Sequence, residues 1–257
     1  ALVAEERAQN VLLLLEHPPV LTLGRNARRA NILASDELLK SRGVEVHEIN
    51  RGGDVTYHGP GQLVGYPIFD LRTLRTPSGR RMGPVDFVRG IEEALIRLCG
   101  GFGVRAGRIC GLTGVWCSAG SGSLVDRAGK GAERKIAAIG IHVARGITSH
   151  GFAFNVTTNL SDFNLIVPCG IADHAVTSLQ QEVTSQECLP ALETIAHQAA
   201  RCFGQVFDEQ VLAVESLAAL RFQAEAAAQN SPAQDTPLRI PTEIQRLNGT
   251  PEPPLRA

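Results

Sequence analysis

Cys169 lies in the run Ile166-Val-Pro-Cys-Gly-Ile-Ala-Asp173, between a proline and a glycine. That pair of neighbours places a thiol on a turn, where it can be presented to a cleft. A nucleophilic cysteine acts as its thiolate and needs a partner that favours the charged form. The alternative is a small buried hydrophobe in a bend. Among the other cysteines, Cys99 and Cys202 fall in helical patterns and Cys188 at an expected helix start, positions suited to packing. Cys110 and Cys117 flank an expected strand, and Cys117, opening a Gly/Ser/Ala-rich stretch, is the main rival to Cys169.

The partner could be a histidine or a lysine. His58, His142 and His150 lie in or near glycine-rich segments, although a lone histidine in a strand is more often a hydrogen-bonded structural residue. Of 25 basic residues only Lys40, Lys130 and Lys135 are lysine. Arginine stays charged on burial, whereas lysine can surrender its proton. Lys135 begins the apolar run Ile136-Ala-Ala-Ile-Gly-Ile, where the end of a sheet could meet a cleft. An ammonium there, within reach of Cys169, would lower the thiol pKa, and the two groups would titrate as a pair.

The stretch Arg51-Gly-Gly-Asp-Val-Thr-Tyr-His-Gly-Pro-Gly-Gln-Leu-Val-Gly-Tyr-Pro67 is the densest concentration of glycine, proline and hydrogen-bonding side chains in the chain. Glycine lets backbone approach a ligand closely. A loop of this kind suits an elongated ligand that is polar at one end, or it is a tight connection between strands.

These residues must be positioned by ordinary elements. Residues 1–10 read as the last turns of a helix. Val11–Leu15 and Val20–Leu23 read as buried strands split by Glu16-His17-Pro18-Pro19, and 44–47 as a half-buried strand leading into the Arg51 loop. Leu63–Phe69 emerges from that loop as a strand. Pro84–Gly101 is the clearest helix: Pro84 suits a first turn, and Phe87, Ile91, Leu95 and Leu98 form one apolar stripe. Strands are expected at Leu112–Trp116, Lys135–Val143 and Gly146–Val156. The span Cys117–Arg134 reads as a surface loop. A second amphipathic helix is expected over Ser185–Phe203, and a short one near Glu209–Ala228. From Gln229 onward six of the chain's 14 prolines accumulate with no aromatic residue, so 229–257 is expected to be a disordered tail after a single domain over 1–228. The class is α/β, in the sense of an α+β mixed sheet flanked by helices.

The bulk numbers set broad limits. The 257 residues are 44% hydrophobic, enough for a full core, and the formal net charge is −1, so no global field draws the chain to nucleic acid or membrane. The longest purely apolar run, Val11–Leu15, is far below the roughly 20 residues of a membrane helix. No Cys-x-x-Cys pair suggests zinc, and the six cysteines read as reduced thiols of a cytoplasmic protein.

The Arg51–Pro67 run resembles the signature of the octanoyltransferases of lipoate biosynthesis, also called lipoyl(octanoyl) transferases or the lipoate-protein ligase B family. Three further blocks agree: Leu15-Glu-His-Pro-Pro-Val-Leu-Thr-Leu-Gly24, Lys135-Ile-Ala-Ala-Ile-Gly-Ile-His-Val143, and Gly146-Ile-Thr-Ser-His-Gly-Phe-Ala-Phe-Asn155 running on to Pro168–Asp173. The resemblance covers about residues 1 to 205. It implies a fold like the catalytic domain of biotin and lipoate protein ligases. It implies transfer of octanoyl from octanoyl-acyl carrier protein to a lysine of lipoyl domains, those of 2-oxoacid dehydrogenase acyltransferase subunits and of the glycine cleavage H protein. By the same resemblance Cys169 carries the thioester and Lys135 activates it. The acyl group is held by Arg51, Gly52, Gly53, Asp54, Val55, Thr56, Tyr57 and His58, by Ala138, Ile139 and Gly140, and by Gly151, Phe152 and Ala153. The enzyme would act as a monomer, with neither ATP nor metal. Thioester exchange is nearly thermoneutral and amide formation runs downhill, and no Walker-type loop is present.

The family begins with a strand and a helix upstream of the Leu-Glu-His-Pro-Pro block, so an edge element is expected to be missing before Ala1. Arg72, Arg75, Arg80 and Arg81 could steer an acidic carrier protein, or form a solvated loop. Two related chemistries remain as alternatives: an ATP-dependent lipoate or biotin ligase, which needs no cysteine, and a thiol-dependent acyl hydrolase.

Overall fold

The computed structural model describes residues 10–118, 133–167, 175–184, 188–214, 216 and 218–221. Ala1–Ala213 make one compact unit and Val214–Ala257 a second. The expected helix end at residues 1–9, most of the loop after Cys117, the Cys169 turn and the proline-rich tail lie outside the described residues.

The first unit contains two sheets. The larger has seven strands. Its main path runs β1 (Val11–Leu15), β5 (Gln62–Ile68), β9 (Ile147–Asn155), β8 (Glu133–Ala144), β7 (Leu112–Ser118) and β6 (Ala106–Ile109), and β10 (Ala175–Val176) pairs with β8. The smaller is three-stranded, in the order β3 (Glu45–Glu48), β2 (Val20–Leu23), β4 (Val55–His58). The chain therefore switches sheets at Glu16–Pro19: β1 and β2 were expected from sequence, but they are not paired with each other. β8 and β9 form a long hairpin in full register from Ala137↔Phe154 to Ala144↔Ile147. Its two-residue turn, Arg145-Gly146, has φ 51° and 83°, the positive values that match the twist of a hairpin.

Helices cover one face of the larger sheet. α2 spans Pro84–Gly101 as the spacing predicts, with Phe87, Ile91, Leu95 and Leu98 all buried. Each such burial is worth about 1.5–3 kcal/mol. The Asp86 carboxylate accepts from the Gly83 N–H at 2.8 Å, fixing the first turn. α4 spans Leu192–Phe207, so the described residues Cys188–Ala191 precede it and the helix begins later than the periodicity suggested. Pro190 is the local reason, because the residue before a proline avoids the α region. The apolar stripe Leu192, Ile195, Ala199 and Phe203 continues to Phe207, whereas Cys188 and Leu189 fall outside the helix. Instead of a helix from Glu209, regular helix among the described residues reappears only at 218–221. Two short helices escaped the sequence reading: α1 (Asp36–Ser41), with Ser35 accepting from the Leu38 N–H, and α3 (Leu179–Glu182).

The main core lies between α2, α4 and the larger sheet, and includes Val115, Cys117, Ile136, Ala137, Phe152 and Phe154. A smaller core under the three-stranded sheet gathers Leu21, Leu39, Val44, Val55, Tyr57, Phe163, Leu165 and Ile166. No helix among the described residues is long and apolar enough to cross a membrane.

Candidate active site

A cavity of about 640 Å³ opens between the three-stranded sheet and the middle of the larger one. That volume is ordinary for a small-molecule site. One wall comes from Val20 and Thr22 of β2, Thr56 and His58 of β4, and the Arg51–Asp54 loop. The other comes from Val64 and Tyr66 of β5, Ala138–Gly140 of β8 and His150–Ala153 of β9. All the residues expected to hold an acyl group line this cavity except Val55 and Tyr57.

Those two side chains point elsewhere. Val55–His58 is a strand, not loop, and side chains alternate across a strand. Asp54, Thr56 and His58 face the cavity, while Val55 and Tyr57, at 0% and 2% exposure, face the smaller core. Burial, and then the bond its hydroxyl donates to Asp162 at 3.0 Å, push the Tyr57 pKa well above the usual phenol value.

Small residues let the walls approach. Gly140 and Gly151 are direct partners across β8 and β9. A Cβ on Gly140 would stand 2.6 Å from the Gly52 carbonyl oxygen, so the arginine loop lies directly on β8. The Gly52 N–H donates to the Ile141 carbonyl at 3.1 Å and fixes that contact. Asp54 secures the other side of the loop: its carboxylate accepts from the Val55 N–H at 2.7 Å and from Asn31 Nδ2 at 2.5 Å.

The polar groups form an ordered relay. Arg51 is buried and donates through Nε and Nη2 to Thr22 Oγ1, at 3.1 and 3.0 Å, and to the Thr22 carbonyl at 2.6 Å. Thr22 Oγ1, accepting from arginine, has its proton free for His58 Nε2 at 3.5 Å. On the far side Asn155 Nδ2 donates to the Thr177 carbonyl at 2.9 Å, so its oxygen accepts from Gln62 Nε2, also at 2.9 Å. Gln62 Oε1 must then accept from His58 Nδ1, at 2.7 Å. The network thus assigns the neutral Nδ1–H tautomer to His58. Burial, the Arg51 charge and His17 lower the His58 pKa to about 4, while the Gln62 bond opposes them. His17 meets the Tyr66 hydroxyl at 2.7 Å, and burial lowers its pKa. His17, Thr22 and Tyr66 were not singled out from sequence, although His17 and Thr22 lie within the quoted Leu15–Gly24 block and Tyr66 within the Arg51–Pro67 run.

Lys135 does not line the cavity. It lies three residues before Ala138 on β8, roughly 10 Å along the strand. Its ammonium stands 4.6 Å from the centre of the Trp116 ring, and the residue is 9% exposed. β10 runs alongside, with Val176 opposite Lys135 and the Thr177 N–H donating to the Lys135 carbonyl at 2.9 Å. Cys169 lies outside the described residues. The chain is described up to Val167, whose N–H donates to the Asn31 carbonyl at 2.7 Å, and again from Ala175, opposite Arg134. Cys117, the rival thiol, sits inside β7 at 1% exposure, and burial pushes its pKa up to about 12. Such a thiol is inert. His142 and His150 lie on the β8–β9 hairpin, His150 against Asn50 Oδ1 at 2.6 Å. In the arginine cluster, Arg72 is paired with Asp70 and Arg80 with Asp86.

Comparison with known proteins gives a consistent picture. Residues 1–200 match the lipoyl protein ligase A/B catalytic domain family. An octanoyltransferase from Acidobacterium capsulatum is 62% identical over 82% of this chain and 82% of its own. One from Koribacter versatilis is 50% identical over 93% of this chain and 85% of its own. Among solved structures, an archaeal bipartite lipoate protein ligase from Thermoplasma acidophilum superposes with a TM-score of 0.61 at 16% identity, over 89% of this chain and 86% of that one. A lipoate-protein ligase A bound with ATP gives 0.60 at 16%, over 89% and 88%. The fold is therefore that of the ligase catalytic domains, and the chain belongs to the lipoyl protein ligase A/B catalytic domain family, on its octanoyltransferase side.

Proposed function

We propose that the chain transfers an octanoyl group from octanoyl-acyl carrier protein to a lysine of a lipoyl domain through a thioester on Cys169, with no ATP or metal. Kinship makes it an acyltransferase: its 62% identity to an octanoyltransferase far exceeds its 16% identity to the ATP-bound ligase of the same fold. The observation that carries the octanoyl reading is the cavity between the sheets, whose walls are built from the Arg51, Lys135 and Gly146 blocks that the sequence resemblance singled out.

Connectivity supports the proposed dyad. Cys169 is two residues from Val167 and six from Ala175, and the strand begun at Ala175 runs beside Lys135. In the reaction, the Cys169 thiol gives its proton to the Lys135 amine and attacks the carrier thioester. The C–S bond to the carrier breaks as the new C–S bond forms, and the carrier thiol leaves with a proton. The target lysine amine then attacks the Cys169 thioester, an amide forms and the Cys169 thiol is regenerated, with Lys135 taking the proton from the attacking amine. Residues 1–228 would be the catalytic domain and 229–257 a tail outside the reaction. The test is transfer from octanoyl carrier protein to an apo lipoyl domain without nucleotide. Full turnover is expected. A strict need for ATP with release of AMP would instead make this a ligase.

A further inference from the structure

The ladder between β7 and β8 slips once. Val115 is opposite Ala137, yet Trp116 is opposite Lys135, so Ile136 is an extra residue on β8. The slip decides where Lys135 points. Ile136 and Ala137 both pack into the core beneath the helices, as do Val115 and Cys117. Side chains otherwise alternate, so Lys135 faces away from the helices, and its ammonium over the Trp116 ring shows that it does. Ala138 and Gly140 share that face and line the cavity. With a regular ladder Lys135 would have the parity of Ala137 and would point into the helix core. A bulge re-aims side chains in this way.

The bulge is held from the helix side. Gly114, opposite this region on β7, has φ 128°. Its N–H donates at 3.1 Å to Oε1 of Glu92, a wholly buried carboxylate on α2. The other oxygen, Oε2, accepts from Arg89 at 2.6 Å and Arg108 at 3.0 Å. A Cβ at position 114 would stand 2.7 Å from the Ala137 carbonyl oxygen and 3.4 Å from Lys135 Cε, so the bulged peptide and the lysine stem occupy the space that only glycine leaves.

We propose that Glu92 and Gly114 are positioning residues for Lys135: the buried carboxylate fixes the β7 backbone, and the bare Cα leaves room for the bulge that turns the lysine onto the cavity face. This inference rests on the reading that Lys135 activates Cys169. The test compares Glu92→Met, Glu92→Gln and Gly114→Ala with Lys135→Ala. It reads kcat and KM for octanoyl transfer, melting temperature, and the pH midpoint of iodoacetamide alkylation at Cys169, resolved by peptide mass spectrometry.

Glu92→Met and Gly114→Ala should lower kcat by about 10²-fold with KM changed less than twofold. Both should move the alkylation midpoint toward that of Lys135→Ala. Glu92→Gln, with one oxygen left for either the Gly114 N–H or the two arginines, should give a midpoint between wild type and Glu92→Met. Gly114→Ala leaves the arginine pairs of Glu92 intact and carries the test if Glu92→Met does not fold. A wild-type midpoint in Gly114→Ala, with melting temperature alone reduced, overturns the inference. Wild-type kcat and midpoint in Lys135→Ala would overturn the dyad reading itself, a different result.

Discussion

Replacing Gly140 by alanine tests whether the arginine loop is a working wall of the cavity. The new Cβ would lie 2.6 Å from the Gly52 carbonyl oxygen and 3.5 Å from Arg51 Cδ. Ordinary contact begins near 3.4 Å, so the loop backbone must retreat by about 0.8 Å. The bond from the Gly52 N–H to the Ile141 carbonyl, now 3.1 Å, would then be too long to hold. Its net worth is about 0.5–1.5 kcal/mol, and overpacking of this kind costs about 1–3 kcal/mol. Arg51 cannot follow freely, because its guanidinium is clamped to Thr22. A binding loss of about 1–2 kcal/mol corresponds to a 5- to 30-fold rise in KM for the octanoyl donor. kcat should change less, because Lys135 lies five residues away on the strand. Steady-state transfer kinetics and a denaturant melt read both effects. An unchanged KM beside an unchanged unfolding midpoint would refute the packing of this loop on β8 and its place in the site.

Two other outcomes follow from the same geometry. His58 is neutral in the fold down to about pH 4, whereas in the unfolded chain it takes a proton near 6.5. Its contribution is therefore complete above 6.5 and is lost as pH falls toward 4, a loss of about 3 kcal/mol at most. Unfolding free energies at pH 7 and pH 4.5 should show a smaller drop in His58→Gln than in wild type, and equal drops would contradict the assignment. Lys135→Arg keeps the charge but cannot give up a proton, so transfer should fall at least about 10²-fold; wild-type turnover in that variant would remove the proton-transfer role.

Much of the frame was legible because its signals are local. The 3.6-residue stripe of Pro84–Gly101 and the apolar runs of β1, β2, β8 and β9 each carry their own periodicity. What escaped depends on contacts distant in sequence. Val55 and Tyr57 read as loop residues because glycines flank them, and only pairing with β2 shows that they alternate away from the cavity. Pro190 delayed α4 relative to the start expected at Ser185. His17 and Tyr66 come together across 49 positions, and no spacing rule links them. The orientation of Lys135 depends on a single extra residue in a ladder, set by a carboxylate 43 positions earlier, on another element.

The claim beneath this account is that one sulfur carries the fatty acid between donor and acceptor. Mass spectrometry of the whole protein after incubation with octanoyl carrier protein alone, followed by peptide mapping, tests it most directly. The account predicts one octanoyl group on Cys169, removed by hydroxylamine and by an added lipoyl domain. Transfer proceeding at full rate with Cys169→Ser, or an octanoyl group mapped to another residue, would contradict it.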